Sequence, residues 1–264
     1  MMSEQSEKTM PLLEHLVELR RRLLYSVAVF LLLMVGCFYF AQNIFDFLAK
    51  PLANILLQQT GRRFIFTDLT EFLFTQIKVS FFTALSISFP LFAHQLWKFV
   101  APGLYKQERL VLLPFLMASP ILFMAGAALL YYVLLPYGWE FLLSFQTSGG
   151  QGTLPVEFEG KVSEYVGLIM KLIFAFGICF QLPVLLILLV RAHILTAQAL
   201  AKKRRHAIVL VFIVAAVVTP PDPFSQVALA LPLVVLYEVS IWCARLIERK
   251  RKQVKKDADD APKS

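Results

Sequence analysis

Long apolar runs, interrupted by short charged stretches, organise this chain. Residues 23–41, 79–97 and 172–190 are each 19 residues long without an Asp, Glu, Lys or Arg, and 110–139 runs 30 residues without one. At about 1.5 Å of rise per helical residue, roughly 20 apolar residues match the ~30 Å hydrocarbon core of a bilayer. The four runs are read as membrane-spanning helices, because an open strand in lipid would leave its amides without partners. Two shorter runs, 207–221 and 223–237, hold 15 residues each and flank Asp222. Thr219, Pro220, Pro221, Asp222 and Pro223 form a turn signal between them, which predicts a helical hairpin whose second arm can extend through Glu238 to Ala244. Fifteen residues reach only about 22 Å, so this final hairpin is expected to stop short of the far membrane surface.

The pattern therefore predicts an all-α, polytopic membrane protein with six transmembrane helices. Residues 1–22 form a polar lead-in, 23–246 the transmembrane domain, and 247–264 a basic and then acidic tail expected to be disordered. Between the first two spans, Ile44, Phe45, Phe47, Leu48 and Leu52 recur at roughly helical spacing beside Asp46 and Lys50. That suits a short helix in the membrane interface, expected to break at Pro51. Pro90, Pro114, Pro120, Pro183 and Pro232 fall inside the spans. Each removes a backbone hydrogen bond and favours a kink, so the spans are expected to form a concave face in place of a tight bundle.

Charge sets the orientation. With six spans, one side receives 1–22, 98–109, 191–206 and 245–264, which together hold 20 of the 26 Lys and Arg residues. Basic loops stay in the cytoplasm, so both termini are expected there. The net charge of +8 is then topology plus contact with anionic lipids, with no call for nucleic acid. Only 17% of the residues are charged against 58% hydrophobic, too few to cover four buried helices of a soluble protein. Arg20, Arg21 and Arg22 precede an apolar run too long for a signal peptide, so this segment is read as a retained anchor. Cys37, Cys179 and Cys243 lie singly in apolar segments and suggest neither disulfides nor a metal site.

Catalytic signatures are missing: there is no His-Glu-x-x-His, Gly-x-Ser-x-Gly, Walker or Gly-x-Gly-x-x-Gly string, so neither an enzyme nor a cofactor is expected. Polar groups at membrane depth are the candidates instead, being costly there unless they face protein or water. These are Gln181 in the fourth span, Lys171 in its outer part, Glu238 in the last span, and Asp222 and Gln226 at the hairpin tip. Each can be an interhelical tie; Glu238, if buried, needs a donor or a proton. On the basic side, Glu18 and Glu108 stand beside clusters that contain Arg20 and Lys106. Glu18 can pair with Arg22 one helical turn on, so spacing leaves an ordinary surface pair and a binding role both open. A small-molecule or ion transporter with Gln181, Glu238 and Lys171 along its pathway is the alternative reading.

Three strings carry a resemblance. They are His15-Leu16-Val17-Glu18-Leu19-Arg20, then Phe99-Val100-Ala101-Pro102-Gly103-Leu104-Tyr105-Lys106-Gln107-Glu108-Arg109, and Thr219-Pro220-Pro221-Asp222 followed by Phe224-Ser225-Gln226. In this order, across about residues 11–246, they resemble the TatC family, the large membrane subunit of the twin-arginine protein translocase. The resemblance implies a receptor for the signal peptides of folded proteins, resident in the bacterial cytoplasmic membrane and driven by the proton-motive force. It implies the single-span subunits TatA and TatB and further TatC copies as partners. It also implies that Glu18 and Glu108 receive the two signal arginines, with Arg20, Phe99 and Lys106 nearby. Pro51, Asp222 and Gln226 match positions linked to function or assembly. At Gln181 many relatives carry Glu, so a mechanism needing a titratable group there is in doubt for this chain.

Overall fold

The computed structural model describes residues 12–56, 64–100, 109–147, 154, 159–219 and 222–259, and among them every extended element is helical. The helices are α1 Leu12–Tyr39, α2 Ala41–Leu56, α3 Glu71–Val100, α4 Arg109–Leu129, α5 Leu135–Leu143, α6 Val162–Cys179, α7 Leu182–Arg191, α8 Ala197–Lys202, α9 Arg204–Val218 and α10 Pro223–Asp259. Five segments are long and apolar enough to cross a membrane: 16–39, 71–95, 118–143, 162–191 and 223–249. The all-helical membrane fold expected from the pattern is borne out. α9 is the exception in length, since its 15 residues reach about 22 Å.

The final hairpin departs from expectation in one arm. α9 is short, but α10 runs 37 residues without interruption, through Pro232 and on to Asp259. Residues 247–259 of the tail are therefore helical where disorder was expected. α10 starts as its sequence dictates. Pro223 takes the first helical position, and Asp222 Oδ1 accepts the Ser225 amide at 2.7 Å, satisfying one of the free donors of the first turn.

Proline acts on the other spans in two ways. Pro136 is the second residue of α5, and directly before it Leu130–Leu134 form a π-helical turn. Leu135 N–H bonds Leu130 O across this wider turn. The proline ring would clash with the carbonyl four residues back, and the extra residue relieves that crowding. Pro183 is likewise the second residue of α7, and α6 ends two residues before α7 begins, at Phe180–Gln181. Pro51 does not break α2 as expected. It lies inside a continuous helix, buried with Leu48 and Leu52 on the face turned to the core.

The main core gathers α2, α3, α5, α6, α9 and α10, with Leu52, Val79, Val166, Ile169, Ala215 and Leu229 fully buried. α1 packs chiefly along α3 and leaves most of its apolar side chains exposed. α4 and α6 approach closely through glycines: a Cβ on Gly126 would lie 2.7 Å from Phe176 O, and one on Gly177 2.3 Å from Phe123 Cε2. Small residues are the usual means by which membrane helices gain contact area, since lipid supplies no hydrophobic drive between them.

At the α2 end, long-range hydrogen bonds close the fold. Tyr165 OH donates to Leu48 O at 3.0 Å and Tyr131 OH to Phe47 O at 2.5 Å. Glu71 gathers three donors, the Thr67 amide and hydroxyl at 2.8 and 3.2 Å and the Ser163 amide at 3.2 Å. Its carboxylate thus caps the start of α6 and ties down the turn that leads into α3. At the opposite, α8 end, Thr196 caps α8 by accepting from the Ala199 amide at 3.1 Å. Val190, Leu200, Tyr237 and Ile241 form a second, smaller core there.

Candidate functional groove

A groove of about 670 Å³ opens between α1, α3, α4, the α6–α7 break, α9 and α10. Its walls are mostly apolar: Leu23 and Phe92 on one side, Leu185 and Leu210 on the other. Leu23, Leu185 and Leu210 remain more than half exposed while lining it, so the groove opens sideways, toward lipid. Its few polar groups lie between the mouth at the α8 end and mid-depth.

At mid-depth the break before Pro183 brings Gln181 opposite Ser119. Ser119 Oγ donates to Gln181 Oε1 at 2.5 Å, and Gln181 Nε2 donates back to Ser119 O at 2.9 Å. The pair is mutually satisfied, which removes most of the cost of placing an amide at membrane depth. Ser119 was not singled out in the sequence; it precedes Pro120, a weak signal for a side chain free to bond outside its own helix.

At the mouth, Glu18 Oε1 receives Arg22 Nη2 as an ion pair one helical turn apart. Arg22 Nη1 also reaches Gln95 O on α3, at 3.4 Å. Glu18 Oε2 is shielded from solvent and has no hydrogen-bond partner. A guanidinium engages a carboxylate best through two parallel bonds, and here one oxygen is taken and the other is vacant. Arg20 lies exposed on the same turn of α1. Phe99 belongs to the last turn of α3, whose side chains are outside the described set, and Glu108 and Lys106 lie outside the described residues.

The other candidates stand apart from the groove. Glu238 is 47% exposed and paired with Arg204 at 2.7 and 2.9 Å, which supplies the donor a carboxylate in this apolar run needs. The α9–α10 hairpin, with its short first arm, carries Arg204 back alongside it. Asp222 caps α10, and Gln226 Nε2 donates to Phe212 O at 3.3 Å, which ties the two hairpin arms together. Lys171 is exposed on α6 and lines none of the three described cavities, while Gln181 and Glu238 line separate ones. No group of three metal-ligating side chains occurs among them either.

Long apolar helices around a sideways-open groove, with an ion pair at its mouth and a neutral polar pair at depth, define a multi-pass membrane protein. The family profile of the Sec-independent protein translocase protein TatC matches residues 14–232. A TatC protein of Magnetococcus marinus is 46% identical over 245 residues, covering 93% of this chain and 88% of that protein. One of Rickettsia prowazekii is 44% identical, covering 90% and 94%. A crystal structure of the twin-arginine translocase receptor TatC in the detergent DDM superposes with a TM-score of 0.74 at 36% identity, covering 87% of this chain and 99% of that one. This chain belongs to the TatC family of Sec-independent protein translocase proteins.

Proposed function

We propose that this chain is the signal-peptide receptor and core subunit of a twin-arginine translocase, which exports folded proteins across the bacterial cytoplasmic membrane at the expense of the proton-motive force. In this reading α9 is a sixth, short span, both termini are cytoplasmic, and the basic end of the molecule meets anionic lipid. Single-span TatA and TatB helices and further TatC copies complete the assembly.

The observation that carries the reading is the groove with Glu18 at its mouth. A signal peptide presents arginines followed by an apolar stretch, and here a carboxylate with one unbonded, solvent-shielded oxygen stands beside Arg22 at the mouth of an apolar lane. Glu108 supplies the second carboxylate in this reading, with Arg20, Phe99 and Lys106 around the pair. The Ser119–Gln181 pair offers a neutral hydrogen-bonding point to a partner helix.

Photocrosslinking of a twin-arginine signal peptide to the protein in native membranes tests the assignment. Glu18→Gln and Glu108→Gln are expected to abolish the crosslink while the protein stays inserted. Arg22→Gln, which frees the occupied oxygen of Glu18, is expected to strengthen it. Undiminished crosslinking in both glutamine variants would return these residues to ordinary surface pairing.

A further inference from the structure

A second cleft, of about 340 Å³, lies at the α8 end between the first turn of α9 and α10, lined by Arg204, Glu238, Val239, Ile241, Trp242 and Arg245. Residues 238, 242 and 245 recur at helical spacing and share one face of α10. The charges in the cleft do not cancel. Glu238 is used by Arg204 at 2.7 Å. Glu248, one turn beyond Arg245, points to α8 and accepts the Ala197 amide at 2.8 Å. Arg245 is left with no anionic partner among the described residues, so the lining carries one net positive charge.

The depth of the cleft identifies what neutralises it. The uncharged stretch of α10 from Val239 to Ala244 gives way there to Arg245 and Arg249, and the basic first turn of α9, with Arg204 and Arg205, borders the same cleft. Arg245 therefore stands where acyl chains meet headgroups. Beside it Trp242 is 63% exposed and Val239 44%, an apolar wall facing lipid next to a free guanidinium. A soluble anion has no use for that wall, and an uncharged lipid none for the guanidinium.

We propose that this cleft binds one anionic phospholipid, its phosphate on Arg245 and an acyl chain along Trp242 and Val239. The site is independent of the signal-peptide reading. Arg204, held in place by Glu238, closes its deeper side.

Native mass spectrometry of the detergent-solubilised full chain tests it, with dioleoylphosphatidylglycerol against dioleoylphosphatidylcholine. The wild type is expected to retain one phosphatidylglycerol in preference to phosphatidylcholine. Arg245→Gln is expected to lose about fivefold in that affinity, the worth of one basic residue at a membrane surface, and Arg245→Lys to recover part of it. Lys255→Gln, with the same change in net charge farther along the tail, is expected to leave it unchanged, and excess glycerol phosphate not to compete. Equal retention of the two lipids, equal losses in Arg245→Gln and Lys255→Gln, or displacement by glycerol phosphate would each overturn the proposal.

Discussion

Gly177→Ala isolates the contact that holds α4 against α6. The added Cβ would sit 2.3 Å from Phe123 Cε2 and 2.6 Å from two further ring atoms. Carbon atoms pack at about 3.5 Å or more, so the ring must retreat by roughly 1.2 Å. It has little room: Phe123 is 1% exposed, stacked on Phe89 at 4.3 Å and edge-on to Phe174 at 6.3 Å. Overpacking of this kind costs about 1–3 kcal/mol, while alanine gains up to about 1 kcal/mol over glycine in helix propensity. The net effect is a loss of about 0–2 kcal/mol. The informative quantity is the contrast with Gly167→Ala, where a Cβ meets nothing within 4 Å and only the propensity gain remains. Thermal denaturation in detergent should raise the midpoint for Gly167→Ala and lower it for Gly177→Ala. In a Phe123→Leu background Gly177→Ala should become neutral or stabilising, a coupling of about 1–3 kcal/mol. Equal shifts for the two glycines, or no rescue by Phe123→Leu, would refute the steric account. Phe89 also lines the groove, so a displaced Phe123 should disturb the groove wall as well.

Two further substitutions probe single features. His193 holds φ at +61° where the Ile194 amide closes back on Leu189 O at 3.0 Å, a helix ending normally made by glycine. His193→Gly should stabilise by about 0.5–1 kcal/mol, read as a higher thermal midpoint; a lower midpoint would mean that the imidazole contributes more than its backbone costs. Ser119→Ala should lose about 1 kcal/mol and Gln181→Ala more, because the bond from Gln181 Nε2 to the Ser119 main-chain carbonyl survives the first change and not the second, and the double variant should lose no more than Gln181→Ala alone. Additive losses in the thermal cycle would show that they act separately.

What could be read from the residue pattern was whatever depends on a single helix. Runs without charge located the long spans, and Thr219 to Pro223 located the final turn. Proline placed the irregularities less exactly. Pro183 marks a break that falls on Phe180–Gln181, whereas Pro136, which the pattern had not singled out, follows the π turn at Leu130–Leu134. Pro51 does not break α2 because the Phe47 carbonyl left free by its missing amide accepts the Tyr131 hydroxyl, so the helix loses one hydrogen bond and continues. Contacts between distant segments were beyond reach. Glu71 meets Ser163 across 92 residues and Ser119 meets Gln181 across 62, and neither pair follows any local spacing. Glu238 shows the same limit in energetic form. A carboxylate within an apolar run needs a donor, and only the fold supplies Arg204 from the neighbouring arm.

The proline positions also explain why a bundle of this size keeps an open groove. Pro90 lies in α3, Pro120 in α4 and Pro183 just past the α6 break, and all three helices border the groove. A missing amide in each weakens the regular ladder where close packing would otherwise seal the helices together. The two ends of the molecule are held by other means. Glu71, Tyr131 and Tyr165 close one end with long-range hydrogen bonds, and Tyr237 OH, donating to Leu200 O at 2.9 Å, helps close the other. Long-range hydrogen bonds thus tie the two ends, and the middle between them is held chiefly by apolar packing. The middle holds the groove, and there the described polar contact is the neutral Ser119–Gln181 pair. Charge is confined to the mouth, at Glu18 and Arg22, so under the proposed reading ionic recognition and apolar docking occupy different depths. That separation predicts which way each error falls: a change at Glu18 removes the choice of peptide, while a change at Gln181 alters how firmly an already chosen helix is held.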